Sequence, residues 1–363
     1  MDSAQTAYIL KRLIFKTDRS PAYFIYFVTG ACPLECRHCF YHAREFSRSE
    51  LGLGEIERFS SGMGRISFLL LTGGEPFSRS DFEEIPSIFY RNTMSRNFAV
   101  PTNGFFTSDV IEKTEKILNS CPEATLTVNV SLDGLGDLHD NIRQKKGAFD
   151  AACNTCKELV AMKHSYKNLD VGVCTVVSSL NQASLKDIYR FVKKELGIDI
   201  WAPFLTRGKP RDPLSGDVDM EMYKGMSDFM KTEISKHKYL GYTRFSLGQW
   251  NTAKNTLRRD IIYKIKKDKR MIAACYAGRL IGVMYPDGRV KPCELKDDTF
   301  GNIRDFDYNF KSLWLSNEAQ KIRRDIDSCG CYCTHECFLT MNIMYNPMFW
   351  PSLARERLRL RGI

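Results

Sequence analysis

The sequence predicts an α/β fold, in which a partial (β/α)6 TIM-like barrel is followed by a small C-terminal domain built from a β-hairpin and helices. Six strand-like apolar runs alternate with helix-like segments over the first two-thirds of the 363 residues. A strand followed by a helix, repeated along the chain, is typical of parallel strands joined by right-handed crossovers. Because there are six units rather than eight, we expect the barrel to be open.

The elements of the barrel follow in order along the chain. Ser80 begins a capping-box pattern ahead of a helix over 81–91, and Ser108 has the residue type of an N-cap for a helix over 109–118. The predicted strands cover residues 23–28, 66–72, 97–101, 125–132, 171–177 and 198–204. The remaining helices of this region are amphipathic and cover residues 149–163 and 184–195.

Changes in composition define the expected domains. Residues 206–218 have the composition of a loop, and the segment after them is helical and basic. The C-terminal tail alternates arginine with leucine, which is unusual for a helix and suggests peripheral contact with lipid headgroups or an acidic partner. The expected divisions are an N-terminal extension (1–20), a barrel core (21–218), a helical basic linker (219–270), a cysteine-rich domain (271–345) and a basic tail (346–363).

The bulk composition predicts a globular protein of the cytoplasm. Hydrophobic residues make up 43% and charged residues 26% of the chain. No apolar run approaches the roughly 20 residues that cross a bilayer, and the N-terminus lacks the basic and apolar regions of a secretory signal. The net charge of +10 suits an anionic substrate, a nucleic acid or a membrane surface. We interpret Arg258, Arg259 and residues 264–270 as solvated surface, and do not expect nucleic acid as a partner.

The most informative motif is a C-x3-C-x2-C loop directly after the first predicted strand, formed by Cys32, Cys36 and Cys39. Three thiolates can hold three irons of a 4Fe–4S cube and leave the fourth iron open for chemistry. The alternative is a zinc knuckle completed by His38 or His42. Zinc knuckles usually consist of two C-x2-C hooks, so the iron–sulfur interpretation is favoured.

Further candidate site residues follow the ends of later strands. The carboxyl ends of parallel strands meet at one rim of a barrel, so these side chains are expected to converge there. They are Gly73, Gly74, Glu75 and Pro76 after the second strand, Asn103 after the third, and Ser131, Asp133, His139, Asp140 and Arg143 after the fourth.

A second cysteine group lies in the C-terminal region and consists of Cys275, Cys293, Cys329, Cys331, Cys333 and Cys337. A Pro-Asp-Gly turn at 286–288 predicts a β-hairpin that brings Cys275 near Cys293. Thiols stay reduced in the cytoplasm, so this group indicates metal rather than disulfides. A zinc site is the rival to an iron–sulfur cluster here. The other four cysteines are Cys121, Cys153, Cys156 and Cys174, of which the last three are expected to pack in the core.

The two rim motifs together resemble the radical S-adenosylmethionine (SAM) superfamily over residues 20 to about 205. The cysteine loop matches its hallmark, and Gly73 to Pro76 matches its GGEP motif. The resemblance implies that SAM chelates the open iron, that the glycines let its methionine end approach, and that Glu75 accepts a bond from its ammonium group. It also implies that Ser131 and Asp133 bind the ribose. Pro76 would stiffen its turn, and Asn103 would line the same rim. Arg143 would reach the SAM carboxylate or be a plain surface charge. The adenine would pack near Val176 or Phe204.

The second cysteine group resembles the SPASM/twitch extension of that superfamily. The pattern C-x(9–15)-G-x4-C fits Cys275, Gly288 and Cys293, whereas the later C-x-C-x-C-x3-C spacing departs from the family. Six cysteines are fewer than the eight that two cubes take. We therefore expect one auxiliary 4Fe–4S cluster held by Cys275, Cys293, Cys337 and one of Cys329, Cys331 or Cys333. The alternative is a second cluster that also uses His335.

The resemblance implies an oxidoreductase whose catalytic cysteines are Cys32, Cys36 and Cys39. Such enzymes cleave SAM reductively to methionine and a 5′-deoxyadenosyl radical, which abstracts a hydrogen atom from the substrate. The auxiliary cluster would then oxidise the substrate radical, and flavodoxin or ferredoxin would donate electrons. His139, Asp140 and a carboxylate from 206–245 are the candidate bases.

The sequence does not decide whether the substrate is a small molecule or a peptide. SPASM relatives often modify peptides through an N-terminal recognition domain, and Cys32 lies too near the start of this sequence for one. That favours a small molecule, or a peptide delivered by a separate protein. A peptide maturase, an RNA-modifying enzyme and a non-catalytic zinc or iron–sulfur scaffold are the alternative functions.

Overall fold

A computed structural model of the chain describes residues 20–41, 50–237, 246–328 and 331–361. Most of the predicted N-terminal extension, His42 and Cys329 lie outside these residues. Six parallel strands form the barrel wall, and each lies within three residues of its predicted bounds. They are β1 (Tyr23–Thr29), β2 (Phe68–Gly73), β3 (Asn97–Thr102), β4 (Thr125–Ser131), β5 (Leu169–Val177) and β6 (Ile200–Leu205).

The sheet continues past β1 into the C-terminal region. Strand β7 (Ile281–Met284) pairs with β1 in parallel, and β8 (Arg289–Lys291) and β9 (Gly301–Asn302) follow in antiparallel pairing. The strand order is β6-β5-β4-β3-β2-β1-β7-β8-β9, so β6 and β9 are the two edges of the described sheet. The predicted partial (β/α)6 barrel and its C-terminal hairpin are confirmed. Their union in one continuous sheet was not predicted.

Helices cover the outside of the barrel and its open side. Those of the barrel are α1 (Leu53–Ser61), α2 (Glu84–Thr93), α3 (Thr107–Ser120), α4 (Asp137–Arg143), α5 (Ala148–Met162) and α6 (Leu185–Lys194). Those that follow are α7 (Met220–His237), α8 (Ser246–Asp268), α9 (Phe310–Trp314), α10 (Asn317–Ser328), α11 (Glu336–Tyr345) and α12 (Trp350–Arg361). None of the described helices is long and apolar enough to cross a membrane.

Two predicted helix starts are wrong. The N-cap of α2 is Glu83, because Arg79 holds the Asp81 carboxylate at 2.5 Å and binds the carbonyls of Val28 and Leu51. The capping-box segment is therefore a turn ahead of the helix. Ser108 lies inside the first turn of α3, which begins one residue earlier.

Alternation along the strands divides the barrel into an apolar outer layer and a hollow, polar interior. In β4, Leu126, Val128 and Val130 are buried against the helices. Thr127 and Asn129, which alternate with them, line the interior cavity. The side-chain period of two in a strand produces this separation. The hydrophobic effect therefore holds the helices on the outside and leaves polar groups facing inward.

The open side of the barrel is closed by helices α7, α8 and α11, which contribute side chains to the cavity wall. The expected basic linker is thus part of the site. Helix α12 packs on α8 and buries Leu360 with Ile234 and Ala253. The tail in which arginine and leucine alternate is therefore a helix. Its leucines differ in burial, since Leu360 is buried and Leu358 is exposed.

The C-terminal region is fixed to the barrel by a second apolar cluster. Phe27 of β1 stacks on Tyr285 with ring centroids 4.9 Å apart, and Phe338 and Met341 of α11 pack into the same cluster. Glu336 accepts a hydrogen bond of 2.7 Å from the backbone N–H of Leu205 at the end of β6. Helix α11 therefore bridges the two ends of the barrel wall.

Candidate active site

A single large cavity of about 1350 Å³ fills the interior of the partial barrel. Its walls are the inner faces of β1 to β6, the cysteine loop after β1, and helices α7, α8 and α11. Concave pockets with a few converging polar groups are where ligands bind. Most of the residues that the sequence singled out at the rim contribute to its lining.

The three-cysteine loop forms part of this lining. Cys36 is buried, Cys39 is half-buried and Cys32 is exposed to the cavity. The side chain of Arg37 anchors the loop through an ion pair of 2.8 Å with Asp212. Nη1 of Arg143 approaches Sγ of Cys36 at 3.7 Å. Such a donor stabilises the thiolate that a metal requires.

The thiols of this loop influence one another. Although Cys32 is open to the cavity, the surrounding protein desolvates its thiolate and raises its pKa to about 12, and the neighbouring Cys36 and Cys39 thiolates contribute to this rise. Binding of iron would displace these protons, because the ligand to the metal is the thiolate. Among the described residues, no three His, Cys, Asp or Glu side chains are arranged to share one metal ion. A 4Fe–4S cube instead takes one thiolate at each iron.

The glycine turn after β2 presses against the cysteine loop. A Cβ atom at Gly73 would collide with the carbonyl oxygen of Thr29, and one at Gly74 with that of Ala31. The backbone N–H groups of Gly74 and Glu75 donate to these same carbonyls at 2.9 and 2.7 Å. Glycine is therefore needed for contact between two loops of the chain itself, a reason that sequence reasoning missed.

Glu75 is held by three donors at the rim. Its carboxylate accepts bonds from the backbone N–H of Phe77, the hydroxyl of Thr102 and the backbone N–H of Asn103, the last at 2.7 Å. Burial raises its pKa to about 7, against the lowering effect of these bonds. Pro76 begins the single 3-10 turn Pro76–Ser78 that Glu75 caps.

Asn103 has the property expected of a ligand-binding group. Its Oδ1 accepts from the N–H of Phe105 at 2.8 Å, and its Nδ2 is buried in the cavity wall without a hydrogen-bond partner among the described residues. A buried unsatisfied donor is costly, so such an atom indicates a missing partner. Ser131 also lines the cavity and lies 3.9 Å from Sγ of Cys174.

Asp133 does not reach the cavity, so its expected contact with ribose is wrong for this structure. Its side chain has no exposed surface, and Oδ2 lies 2.6 Å from Nη2 of Arg143. Its Oδ1 accepts from the N–H of Val176 at 2.7 Å. Burial opposes ionisation, but Arg143 and His38 outweigh it and lower the pKa of Asp133. Asp133 therefore positions Arg143, which is itself buried and is not a surface charge.

The two named candidate bases do not line the cavity. Nδ1 of His139 accepts from the backbone N–H of Asp133 at 3.0 Å, and burial lowers the pKa of the fully buried imidazole to about 4. Asp140 accepts from the backbone N–H groups of Gly147 and Phe149 at the start of α5. The carboxylates that do line the cavity are Glu35, Glu75, Asp170, Asp199 and Glu294.

The described cysteines of the C-terminal group divide into four and one. Burial raises the pKa values of Cys275, Cys293 and Cys333 to between about 11 and about 12, and thiolates within this group, including Cys331, raise them further. These mutual effects place the four thiols around one space. Cys329, a candidate ligand, lies outside the described residues.

Cys337 differs from the four because it faces the central cavity. Its sulfur accepts a bond of 3.6 Å from the hydroxyl of Tyr23. Beside it, His335 and Arg207 each lie 3.0 Å from the carboxylate of Glu294. Cys337 nevertheless packs on the same apolar cluster as Cys275 and Cys293, so the expectation that these three share a cluster stays a prediction. His335, the alternative ligand, lies beside Glu294.

Helix α8 supplies cavity residues that sequence reasoning missed. Arg258 and Arg259, expected to be solvated, are 8% and 4% exposed, and both line the cavity together with Lys254. The i,i+4 spacing places Lys254 and Arg258 on one helix face, and Arg259 follows on the side toward α7. The spacing of these basic residues was visible in the sequence. It did not show which face of the helix is buried, because the whole segment is rich in basic residues.

A hollow parallel barrel with three thiols after β1 and a glycine turn after β2 is the arrangement of a SAM-binding iron–sulfur protein. Residues 26–192 match the family model of the Radical SAM superfamily. This match covers just under half of the chain, and the chain is similar to the superfamily over its barrel. Proteins of this kind bind SAM and 4Fe–4S clusters, including auxiliary clusters, and the cavity residues described above fit these groups.

Two curated relatives illustrate the range of similarity. The antilisterial bacteriocin subtilosin biosynthesis protein AlbA of Bacillus subtilis is 26% identical over 83% of this chain and 61% of its own length. The Fe-coproporphyrin III synthase of Methanosarcina barkeri is 27% identical over 88% of this chain and 82% of its own length. The chain spans about three fifths of the length of the first curated relatives that it matches.

Solved structures share the fold. The structure of anSMEcpe with bound AdoMet and the Cp18Cys peptide has a TM-score of 0.60 and 17% identity, and the match covers 94% of this chain and 99% of that one. SuiB of Streptococcus suis bound to S-adenosylmethionine has a TM-score of 0.60 and 14% identity, and the match covers 87% of this chain and 71% of SuiB. At these identities the likeness concerns the fold alone.

Proposed function

We propose that the protein is a radical SAM oxidoreductase that acts on a substrate held in the central cavity. When bound, the cluster supplies one electron to SAM, whose C5′–S bond breaks to methionine and a 5′-deoxyadenosyl radical that takes a hydrogen atom from the substrate. The observation that carries the proposal is the placement of Cys32, Cys36 and Cys39 on one cavity wall, next to the glycine turn and the unpaired amide of Asn103.

The chain's own residues divide the work of the site. Cys32, Cys36 and Cys39 would hold the cluster, and Arg143 would stabilise the Cys36 thiolate through its buried contact. The nitrogen Nδ2 of Asn103 would donate to SAM, and Ser131 would bind its ribose. Glu75 keeps the rim in place through its three accepted bonds and lines the cavity where the ammonium of SAM would lie.

A second, auxiliary cluster is proposed for the C-terminal domain. Cys275, Cys293, Cys331 and Cys333 would hold it, because their thiols influence one another electrostatically. When bound, this cluster would accept the electron of the substrate radical. A small protein such as flavodoxin or ferredoxin would supply electrons, and the net charge of +10 favours an acidic donor of that type.

A peptide maturase is the second candidate function. The sporulation killing factor maturation protein SkfB and AlbA, both of Bacillus subtilis, support a peptide substrate. Fe-coproporphyrin III synthase and AdoMet-dependent heme synthase of Methanosarcina barkeri, whose lengths are matched over 82% and 83%, support a small molecule. The cavity is closed on its side by α7, α8 and α11, which favours a compact substrate or a single peptide side chain.

The test uses the full chain, reconstituted anaerobically with iron and sulfide and incubated with SAM and dithionite. We expect about eight irons per chain for two cubes, and release of 5′-deoxyadenosine. The Cys36→Ala variant should lose both the nucleoside and about half of the iron. Cys153→Ala is the matched control, because Cys153 is a buried thiol of helix α5 that packs in the hydrophobic core and does not line the cavity. Absence of the nucleoside from the wild-type protein would leave only a metal-binding scaffold.

A further inference from the structure

Helix α8 presents uncompensated positive charge to the central cavity. Lys254 and Arg258 line the wall, and Arg259 lies beside them toward α7. Their hydrogen-bond partners are neutral. Nζ of Lys254 donates to the amide oxygen of Asn251 at 3.3 Å, and Nη1 of Arg258 donates to the hydroxyl of Thr340 at 2.8 Å.

Arg259 has neutral hydrogen-bond partners too, because it donates to the hydroxyls of Ser227 and Thr256 at 3.3 and 3.2 Å. Arg258 is 8% exposed, and its buried Nε has no hydrogen-bond partner among the described residues. Within the described ranges of the chain, none of the three α8 cations forms an ion pair with a carboxylate. Arg258 itself lines the cavity wall.

The other buried cations of the same cavity are neutralised. Arg143 is paired with Asp133 at 2.6 Å, and Arg207 with Glu294 at 3.0 Å. Among the described residues, no carboxylate forms such a pair with Lys254 or Arg258, whereas Arg259 is influenced by the nearby Asp260 and Glu356. A buried charge without a partner is strongly unfavourable, and it persists where a binding partner completes it.

The electrostatic state of the helix agrees with this reasoning. Burial lowers the pKa of Lys254 to about 7, and the positive charge of Arg258 lowers it further. Burial likewise lowers the pKa of Arg259 to about 10. A bound anion would relieve both effects by supplying the missing opposite charge.

We propose that Lys254 and Arg258 bind anionic groups of the substrate, so that the proposed radical SAM reaction acts on an oligoanion carrying carboxylates or phosphates. This inference rests on the proposed function and specifies its substrate class. Arg259 adds positive potential behind the two contacts. The anionic end of the substrate is anchored at α8, and the rest of the molecule extends into the cavity that the three-cysteine loop also lines.

The test measures anion binding by isothermal titration of the reconstituted, SAM-loaded full chain. Tricarballylate and pyrophosphate are the probes for carboxylate and phosphate, and the neutral trimethyl ester of tricarballylate is the uncharged control, all at constant ionic strength. We expect the wild-type protein to bind at least one of the two anions and not the ester. Arg258→Gln and Lys254→Gln should each weaken that binding about tenfold or more, which corresponds to one charge-assisted hydrogen bond.

Two further variants distinguish a built site from general charge effects. Lys264→Gln removes the same charge from an exposed position of the same helix and should bind like the wild type. Arg258→Lys keeps the charge and should retain most of the affinity that Arg258→Gln loses. The unfolding midpoint of Lys254→Gln without anion should not fall, since the variant removes an uncompensated buried charge.

Equal affinities in wild type, Arg258→Gln and Lys264→Gln would overturn the inference, as would the absence of any anion binding. A lower unfolding midpoint for Lys254→Gln with unchanged anion affinity would also overturn it, because the lysine would then be structural. Release of 5′-deoxyadenosine by the wild type needs no substrate and is measured separately. If no 5′-deoxyadenosine is released, the proposed function is refuted and the anion site is not. If the nucleoside is released but no anion binds, the anion site is refuted and the proposed function is not.

Discussion

The replacement Asp133→Asn tests whether the buried acid at the barrel rim positions Arg143 or binds a ligand. Oδ2 of Asp133 lies 2.6 Å from Nη2 of Arg143, and the acid has no exposed surface. An asparagine can still accept from the N–H of Val176, but its amide group would face the guanidinium without a negative charge. Arg143 would then be a buried cation without a partner.

The magnitude follows from the cost of breaking a buried ion pair by removal of one partner, about 3–5 kcal/mol. We expect the lower end, about 3 kcal/mol, because the bond to Val176 survives in the variant. Arg143 also contacts Cys36, so the variant should take up less iron on reconstitution. Urea denaturation of the apoprotein measures the free energy of unfolding, and an iron assay measures the uptake of iron on reconstitution.

Ser131→Ala is the matched control at the end of the same strand. Ser131 lines the cavity, so its loss should weaken SAM binding and change the free energy of unfolding by only about 0.5 kcal/mol. The reasoning about Asp133 would be refuted if Asp133→Asn unfolded at the wild-type urea concentration while its affinity for SAM fell tenfold. That pattern would restore the ribose contact that the sequence suggested.

Two other predictions concern backbone contact and pH. Gly74→Ala should destabilise the protein by about 1–3 kcal/mol and reduce iron uptake, because the new Cβ meets the Ala31 backbone. Gly54→Ala, in open space on α1, should not destabilise in the same urea assay, and equal effects would contradict this account. The hydrogen bond from Arg304 lowers the pKa of Glu55 to about 2 in the folded protein, whereas its pKa in the unfolded chain is near 4.5. The ionised Glu55 therefore stabilises the fold fully above about pH 4.5, and this stabilisation declines as the pH falls toward 2. Wild type should therefore exceed Glu55→Gln by about 1 kcal/mol at neutral pH and by less at about pH 3, and a constant difference would disprove the linkage.

Much of the fold could be predicted because its signals are local. Each of the six barrel strands is a short apolar run bounded by polar or glycine residues, and the observed bounds differ from the predicted ones by three residues at most. The turn at Gly288, where φ is +87°, fixed the C-terminal hairpin in the same way. The cysteine loop and the glycine turn were found because their spacing along the chain is itself the motif.

The errors arose where position along the chain does not show which group a side chain contacts. Asp133, His139 and Asp140 follow a strand end as functional residues do, yet each contacts a group within ten residues of it in the sequence. The spacing of the second cysteine group predicts that Cys337 shares a cluster with Cys275, and it did not show that α11 turns Cys337 toward the cavity. Spacing alone does not report the direction in which a helix presents its side chains.

The sequence by itself determined the order of strands and helices, the two cysteine groups and the resemblance to the superfamily, because local periodicity and short motifs carry that information. Only the tertiary structure decided that β7 extends the barrel sheet, that α8 turns Lys254 and Arg258 into the cavity, and that Asp133 supports Arg143. The physical reason is that burial and charge compensation depend on which distant segments pack together, and a single sequence does not display those pairings.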